Sequence, residues 1–143
     1  MADFRTLSDS VLASPQITTE DIAAAKAAGV TLILNNRPDG EDPAAAQGDE
    51  VAAAAEAAGI DYLAIPIGHA GFSEVQVDEM IKALAATQGK ALAYCRSGTR
   101  STLLWALAQA KGGAAPDDIA RSAMVAGYDV SPVRPMLDML AAR

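Results

Sequence analysis

Lys90-Ala-Leu-Ala-Tyr-Cys-Arg-Ser-Gly-Thr-Arg-Ser101 is the stretch from which the rest of the chain is read. Ala91 to Tyr94 is short and apolar and follows the breaker Gly89, the pattern of a buried strand. Ser101 to Ala110 carries Leu103, Leu104, Leu107 and Ala108 at helical spacing. The single cysteine, Cys95, therefore stands where a strand turns into a helix. A turn made of Arg96, Ser97, Gly98 and Thr99 would aim backbone N–H groups and a helix N-terminus at the space above the sulfur. Such a positive field lowers a thiol pKa from about 8.5 into a range of roughly 3.5–7.5. Arg100 adds a planar fork matched to an oxyanion. A free cysteine at a strand end is commonly a small hydrophobe. Here Gly98, which permits a tight anion-cradling turn, and the arginine that closes it favour the nucleophile.

Length and charge bound the chemistry. At 143 residues the chain suits one domain, 1–143, able to bury roughly 68% of its unfolded surface. One cysteine excludes an intrachain disulfide. One histidine beside it makes a zinc or iron site of the usual ligand types improbable, so no metal and no cofactor is expected. No secretory signal and no bilayer-length apolar run is evident, so a cytoplasmic protein without membrane attachment is expected. A formal charge of −7 argues against wrapping nucleic acid, which requires a basic stripe.

Outward from Cys95, strands alternate with helices. Thr18 opens a helix with acids in its first turn, ending at Ala28 before Gly29. Val30 to Leu34 is a β-branched strand running into the loop Asn35-Asn-Arg-Pro-Asp-Gly40. Gly48 to Ala58 is a second helix and Ile60 to Ile65 a strand stopped by Pro66. Ser73-Glu-Val-Gln76 has capping-box spacing ahead of a helix with Val77, Met80, Ile81 and Leu84 on one face. After Ser101 only helices follow, at 101–111, 117–125 and from about 131 onward; Phe4 to Leu7 is a candidate edge strand. This pattern predicts an α/β fold with a largely parallel sheet covered on both faces, its ligand beyond the carboxyl ends of the strands.

Val30 to Gly40, Tyr62 to His69 and Cys95 to Ser101 together resemble the phosphatase-like domain of the β-lactamase-hydrolase-like family. That domain occurs alone or fused to sulfur dioxygenases of β-lactamase fold, and is similar in fold to dual-specificity protein phosphatases. The resemblance covers nearly the whole chain. It implies a cysteine-phosphatase-like three-layer fold with a mostly parallel sheet of four or five strands, and a sulfur dioxygenase as a functional partner. Members have been described both as phosphatases and as sulfur transferases.

Two departures from the phosphatase pattern favour sulfur transfer. Arg100 follows Cys95 after four residues, where cysteine phosphatases have five, and a Cys-Arg-Ser-Gly-x-Arg loop resembles that of rhodaneses. His69 also stands where the family's general acid, an aspartate, is expected. A phosphate ester needs that proton when its alcohol leaves, whereas sulfite leaves thiosulfate readily. The expected reaction is attack of Cys95 on a small anionic sulfur donor, thiosulfate or a persulfide, followed by transfer to a thiol acceptor or cyanide. The alternatives are a phosphatase acting on a phosphate ester through a Cys95 phosphocysteine, and a non-catalytic anion-binding module. Cys95, Arg100 and Ser101 form the expected catalytic set, with Ser101 donating a hydrogen bond to the sulfur or only capping its helix. Arg96, Ser97, Gly98, Thr99, Arg37 and His69 form the expected binding set. Arg37 has an alternative as a surface partner of Glu41 or Asp42, His69 as a packing or capping residue, and Asp39 as a turn-former against a general acid.

Overall fold

A computed structural model describes residues 2–143. Five short strands form one sheet: β1 (Arg5–Thr6), β2 (Val11–Ser14), β3 (Val30–Asn35), β4 (Asp61–Ala64) and β5 (Lys90–Tyr94). Their order is β1-β2-β5-β3-β4, antiparallel only between β1 and β2. The helices are α1 (Asp21–Ala27), α2 (Gly48–Ala57), α3 (Glu74–Ala86), α4 (Thr99–Lys111), α5 (Pro116–Val125) and α6 (Arg134–Ala141), the last preceded by a 3₁₀ turn at Ser131–Val133.

Side chains alternate across each strand, so one sheet feeds two cores. Leu32, Leu34, Ala91 and Ala93 face α3, α4, α5 and α6, among Met80, Leu104, Ile119 and Leu137. Leu12, Ile33, Leu92 and Tyr94 face α1 and α2, among Ile22, Ala25, Val51 and Ala55. β5 is the central strand, paired with β2 on one side and β3 on the other. α4 is buried at every position from Ser101 to Ala108, because it lies over the sheet with α3, α5 and α6 around it. Its apolar residues accordingly run all round the helix.

The capping box at Ser73 forms: Ser73 Oγ accepts from Gln76 N at 3.2 Å and Gln76 Oε1 from Ser73 N at 2.8 Å. α1 departs from expectation and starts at Asp21. Its Asp21 carboxylate reaches back to the Thr18 N–H at 2.9 Å, which makes a turn of Thr18 to Glu20. The candidate edge strand is present but short. β2 has no counterpart in the sequence reading. Four apolar or small residues between Ser10 and Pro15 carry no periodicity, and pairing with β1 on one side and with β5, some eighty residues away, on the other makes them a strand.

Ile33 is fully buried between the sheet and α1/α2, whereas Val75 on α3 is 68% exposed. Ile33→Ala should cost about 2–5 kcal/mol, and Val75→Ala should change stability by no more than about 0.5 kcal/mol. Urea unfolding followed by circular dichroism checks both values.

Candidate active site

The carboxyl ends of β2, β5, β3 and β4 open onto one side of the sheet, and there the chain leaves β5 at Cys95. The Cys95 N–H donates to the Ser14 carbonyl at 3.4 Å, and the Gln16 N–H to the Arg96 carbonyl at 3.2 Å. These bonds extend the β2–β5 ladder into the loop. Gly98 then takes φ +91°, a left-handed conformation open to glycine. Its N–H turns onto Cys95 Sγ at 3.2 Å. Its carbonyl accepts from the Thr102 N–H at 3.0 Å and the Thr102 hydroxyl at 2.8 Å, which starts α4 two residues earlier than expected. Arg100 consequently springs from the first turn of α4 rather than from the loop. The sulfur is buried beneath that helix N-terminus.

Arg100 is held on two sides. Its Nη1 donates to Glu41 Oε2 at 2.9 Å and to the Ile67 carbonyl at 2.8 Å, and its Nη2 donates to Glu41 Oε1 at 2.7 Å. A guanidinium has five N–H donors. Those three are committed, which leaves the Nε–H and the second Nη2–H, one side-on fork. Hydrogen bonding to Glu41 raises the Arg100 pKa, burial opposes this, and the Cys95 sulfur beside it adds to the rise. Glu41 also accepts from Arg37 Nε at 2.8 Å. Hydrogen bonds from Arg100 first, and also from Arg37, hold the Glu41 carboxyl down to about 2 against the opposing effect of burial.

The expected residues fall into three groups. Cys95, Gly98 and Arg100 come together as described. Arg37, Arg96 and His69 line an open cleft of about 490 Å³ with Glu41, Asp42 and Arg100. Arg37 is tied to Glu41 and, through Nη1, to Gln16 Oε1 at 3.0 Å. Arg96 has no ion pair among the described residues. Ser97 and Thr99 bond to each other, Ser97 Oγ to Thr99 Oγ1 at 2.9 Å, at the exposed rim. Ser101 does not point its hydroxyl proton at the sulfur. The group is buried and donates to Asn36 Oδ1 at 2.7 Å. Asp39 stands in the Pro38–Glu41 turn, and its Oδ1 accepts from the Gly48 N–H at 2.8 Å, at the start of α2.

Asn36 and Glu41 carry more than the sequence reading gave them. Asn36, buried, donates to the Ile65 carbonyl at 2.9 Å, and its backbone accepts from Ile67 at 3.0 Å. It thereby joins the loop after β3, the loop after β4 and the start of α4. A pair of asparagines closing an apolar strand is the signal that pointed there. Glu41 was legible only as a possible partner of Arg37.

Residues 3–112 match the family described as beta-lactamase hydrolase-like protein, phosphatase-like domain. A beta-lactamase hydrolase-like protein of Xylella fastidiosa is 33% identical over 107 residues, 75% of this chain and 25% of that protein. The chain thus spans about a quarter of the length of the curated relatives it matches. A candidate phosphatase of Neisseria meningitidis is 29% identical, with a TM-score of 0.84 over 95% of this chain and 96% of that one. Tk-PTP in its active form shares the fold at 18% identity and a TM-score of 0.73, covering 99% of this chain and 97% of that one.

The family match and the Neisseria likeness overturn the preference for sulfur transfer. They favour the cysteine phosphatase held as its alternative, and the sulfur donors and thiol acceptor expected for sulfur transfer fall with it. α4 starts at Thr99, so the four-residue spacing from Cys95 to Arg100 spans loop and helix rather than a loop alone. The sulfur dioxygenase partner rests on the family resemblance alone. No helix among the described residues is long and apolar enough to cross a membrane.

A carboxyl whose pKa is lowered on folding adds stability at pH above its unfolded value, near 4.5, and loses it as pH falls toward its folded value, here about 2. Glu41→Gln should therefore lower the melting temperature at pH 7, and the gap from wild type should narrow between pH 4.5 and pH 2. Thermal melts of both proteins across that range check this. The chain belongs to the phosphatase-like domain family of beta-lactamase hydrolase-like proteins.

Proposed function

We propose that this protein is a cysteine-dependent phosphatase that hydrolyses phosphate monoesters through a Cys95 phosphocysteine. The observation that carries this reading is the pairing at the start of α4. A buried Cys95 Sγ accepts the Gly98 N–H, and beside it the Arg100 guanidinium is braced so that one fork is left uncommitted. Planar forks and helix N-terminal N–H groups are suited to the equatorial oxygens of a phosphoryl group in transfer.

In the first step Cys95 Sγ forms a bond to phosphorus while the ester P–O bond breaks, and the departing alkoxide takes a proton. Among the carboxylates near the cleft, Glu41 is held ionised by two arginines, Asp39 accepts the Gly48 N–H, and Asp42 accepts the Ala44 N–H. His69, exposed on the cleft wall, is the remaining titratable side chain and the proton donor of this reading. In the second step water attacks phosphorus and gives a proton back to His69, the P–S bond breaks, and inorganic phosphate leaves with the thiolate restored. Arg100 holds the non-bridging oxygens through both steps, and Arg96 at the mouth attracts the anion to an otherwise acidic molecule.

Wild-type protein should hydrolyse p-nitrophenyl phosphate, and Cys95→Ser should retain less than about a hundredth of that turnover with the fold intact. Arg100→Lys should also lose far more activity than its kept charge suggests. His69→Gln should slow phenyl phosphate, a poor leaving group, more than p-nitrophenyl phosphate, since general-acid catalysis contributes roughly 10²–10⁴-fold where the leaving group needs the proton. Steady-state assays with the two esters separate these effects. Wild-type protein inert toward aryl phosphates would reduce the site to an anion-binding module, and equal losses on both esters would remove His69 from the acid role.

A further inference from the structure

We propose that Tyr128, beyond the residues that match the family, is a positioning residue for Cys95, holding the Ser97–Gly98 peptide so that its N–H faces the sulfur. The inference rests on Cys95 being the nucleophile, as in the reading above. Tyr128 Oη donates to the Ser97 carbonyl at 3.1 Å, and the Gly98 N–H donates to Cys95 Sγ at 3.2 Å. Both groups belong to one planar trans peptide, whose C=O and N–H point in opposite directions. A bond that fixes the carbonyl on the outer side therefore fixes the N–H on the inner side. Without it, rotation of this peptide about its flanking single bonds would carry the donor off the sulfur, and glycine at φ +91° permits such a rotation more readily than any other residue.

The fit of the tyrosine is close. A Cβ on Gly98 would lie 2.1 Å from Tyr128 Oη and 2.8 Å from its Cζ, so the absence of a side chain there serves the tyrosine as well as the turn. Tyr128 is brought there by the end of α5. Gly127, at φ +94°, donates its N–H to the Met124 carbonyl at 2.9 Å, and the Tyr128 N–H donates to the Ala123 carbonyl at 2.9 Å, the paired bonds of a Schellman motif. Arg5 then covers the ring at 5.3 Å and donates to the Ala126 carbonyl at 3.3 Å. Burial raises the Tyr128 pKa, so the hydroxyl keeps the proton that it donates.

The test compares Tyr128→Phe, which removes only the hydroxyl, with Arg5→Ala, which loosens the ring but leaves the hydroxyl. Two readouts need no turnover: the pH profile of Cys95 alkylation by iodoacetamide, and protection of Cys95 by inorganic phosphate. In Tyr128→Phe the alkylation profile should move to higher pH by about half a unit or more, because the thiolate loses an aligned donor. Phosphate protection should weaken about three- to tenfold, with a cooperative melt retained. Arg5→Ala should lower the melting temperature and leave both readouts near wild type. Tyr128→Phe with an unchanged profile and unchanged protection would overturn the proposal. So would loss of the cooperative melt in that variant, since the hydroxyl would then be supporting the fold rather than the peptide. Inactivity of wild-type protein toward aryl phosphates would instead count against the phosphatase reading, leaving both readouts to decide Tyr128.

Discussion

The parallel pairing of β5 with β2 on one side and β3 on the other fixes the point in space where Cys95 leaves the sheet, and the other parts of the site are placed relative to that point. A strand bonded on both edges has little freedom at its end. The backbone that follows must still satisfy its polar groups where the sheet can no longer do so. It does so by carrying the ladder one step further through Ser14 and Gln16, by turning the Gly98 N–H onto the sulfur, and by beginning a helix at once. A buried thiol, an N–H donor and a helix N-terminus arise from one solution to that requirement.

The placement of charge follows a second constraint. A long arginine side chain loses considerable rotamer freedom when it is held in one geometry. Glu41 and the Ile67 carbonyl hold Arg100 before any ligand arrives, which shifts that cost from binding to folding. The carboxylate carries a disadvantage, since it repels any incoming anion. Arg37 shares the same carboxylate, so Arg37, Glu41 and Arg100 together carry a single net positive charge. The unpaired Arg96 and the start of α4 add to it. Exposed ion pairs contribute little to stability, roughly 0–1 kcal/mol, so the arrangement is better understood as orienting a fork than as stabilising the fold.

The parts of this site that were legible in the sequence are those encoded within a few residues. Gly89, the apolar run Ala91 to Tyr94, Cys95 and Gly98 specify strand, strand-end thiol and turn without reference to anything distant, and the Ser73 capping box specifies its helix start in the same way. What stayed hidden depends on long-range pairing. β2 is a strand because β1 and, some eighty residues away, β5 lie beside it. Ser101 has a strong local reason to cap its helix and no local sign that Asn36, on another loop, takes its proton. Glu41 looked like a local partner for Arg37 because the two are four residues apart, while its larger role, bracing Arg100, spans the cleft. The reaction class was misjudged for a related reason. Counting residues from Cys95 to Arg100 treats the segment as a loop throughout, although its last two residues, Thr99 and Arg100, are already helix.

The division of the chain into a family-matched part and a remainder does not coincide with a division between chemistry and scaffold. Residues 3–112 contain the sheet, Cys95, Arg100, Glu41 and Asn36. Of the segment beyond, α5 and α6 cover the core against α4, which accounts for most of their apolar residues as packing. Tyr128 is different. It is buried with that core too, but its hydroxyl donates to the Ser97 carbonyl, and it sits after a glycine whose Cβ would lie 2.6 Å from Arg5 Nη1. Packing alone would accept phenylalanine there, but phenylalanine cannot donate to Ser97. A hydroxyl placed by a helix-ending motif and directed at the peptide beside Cys95 ties the segment beyond residue 112 to the geometry of one N–H group.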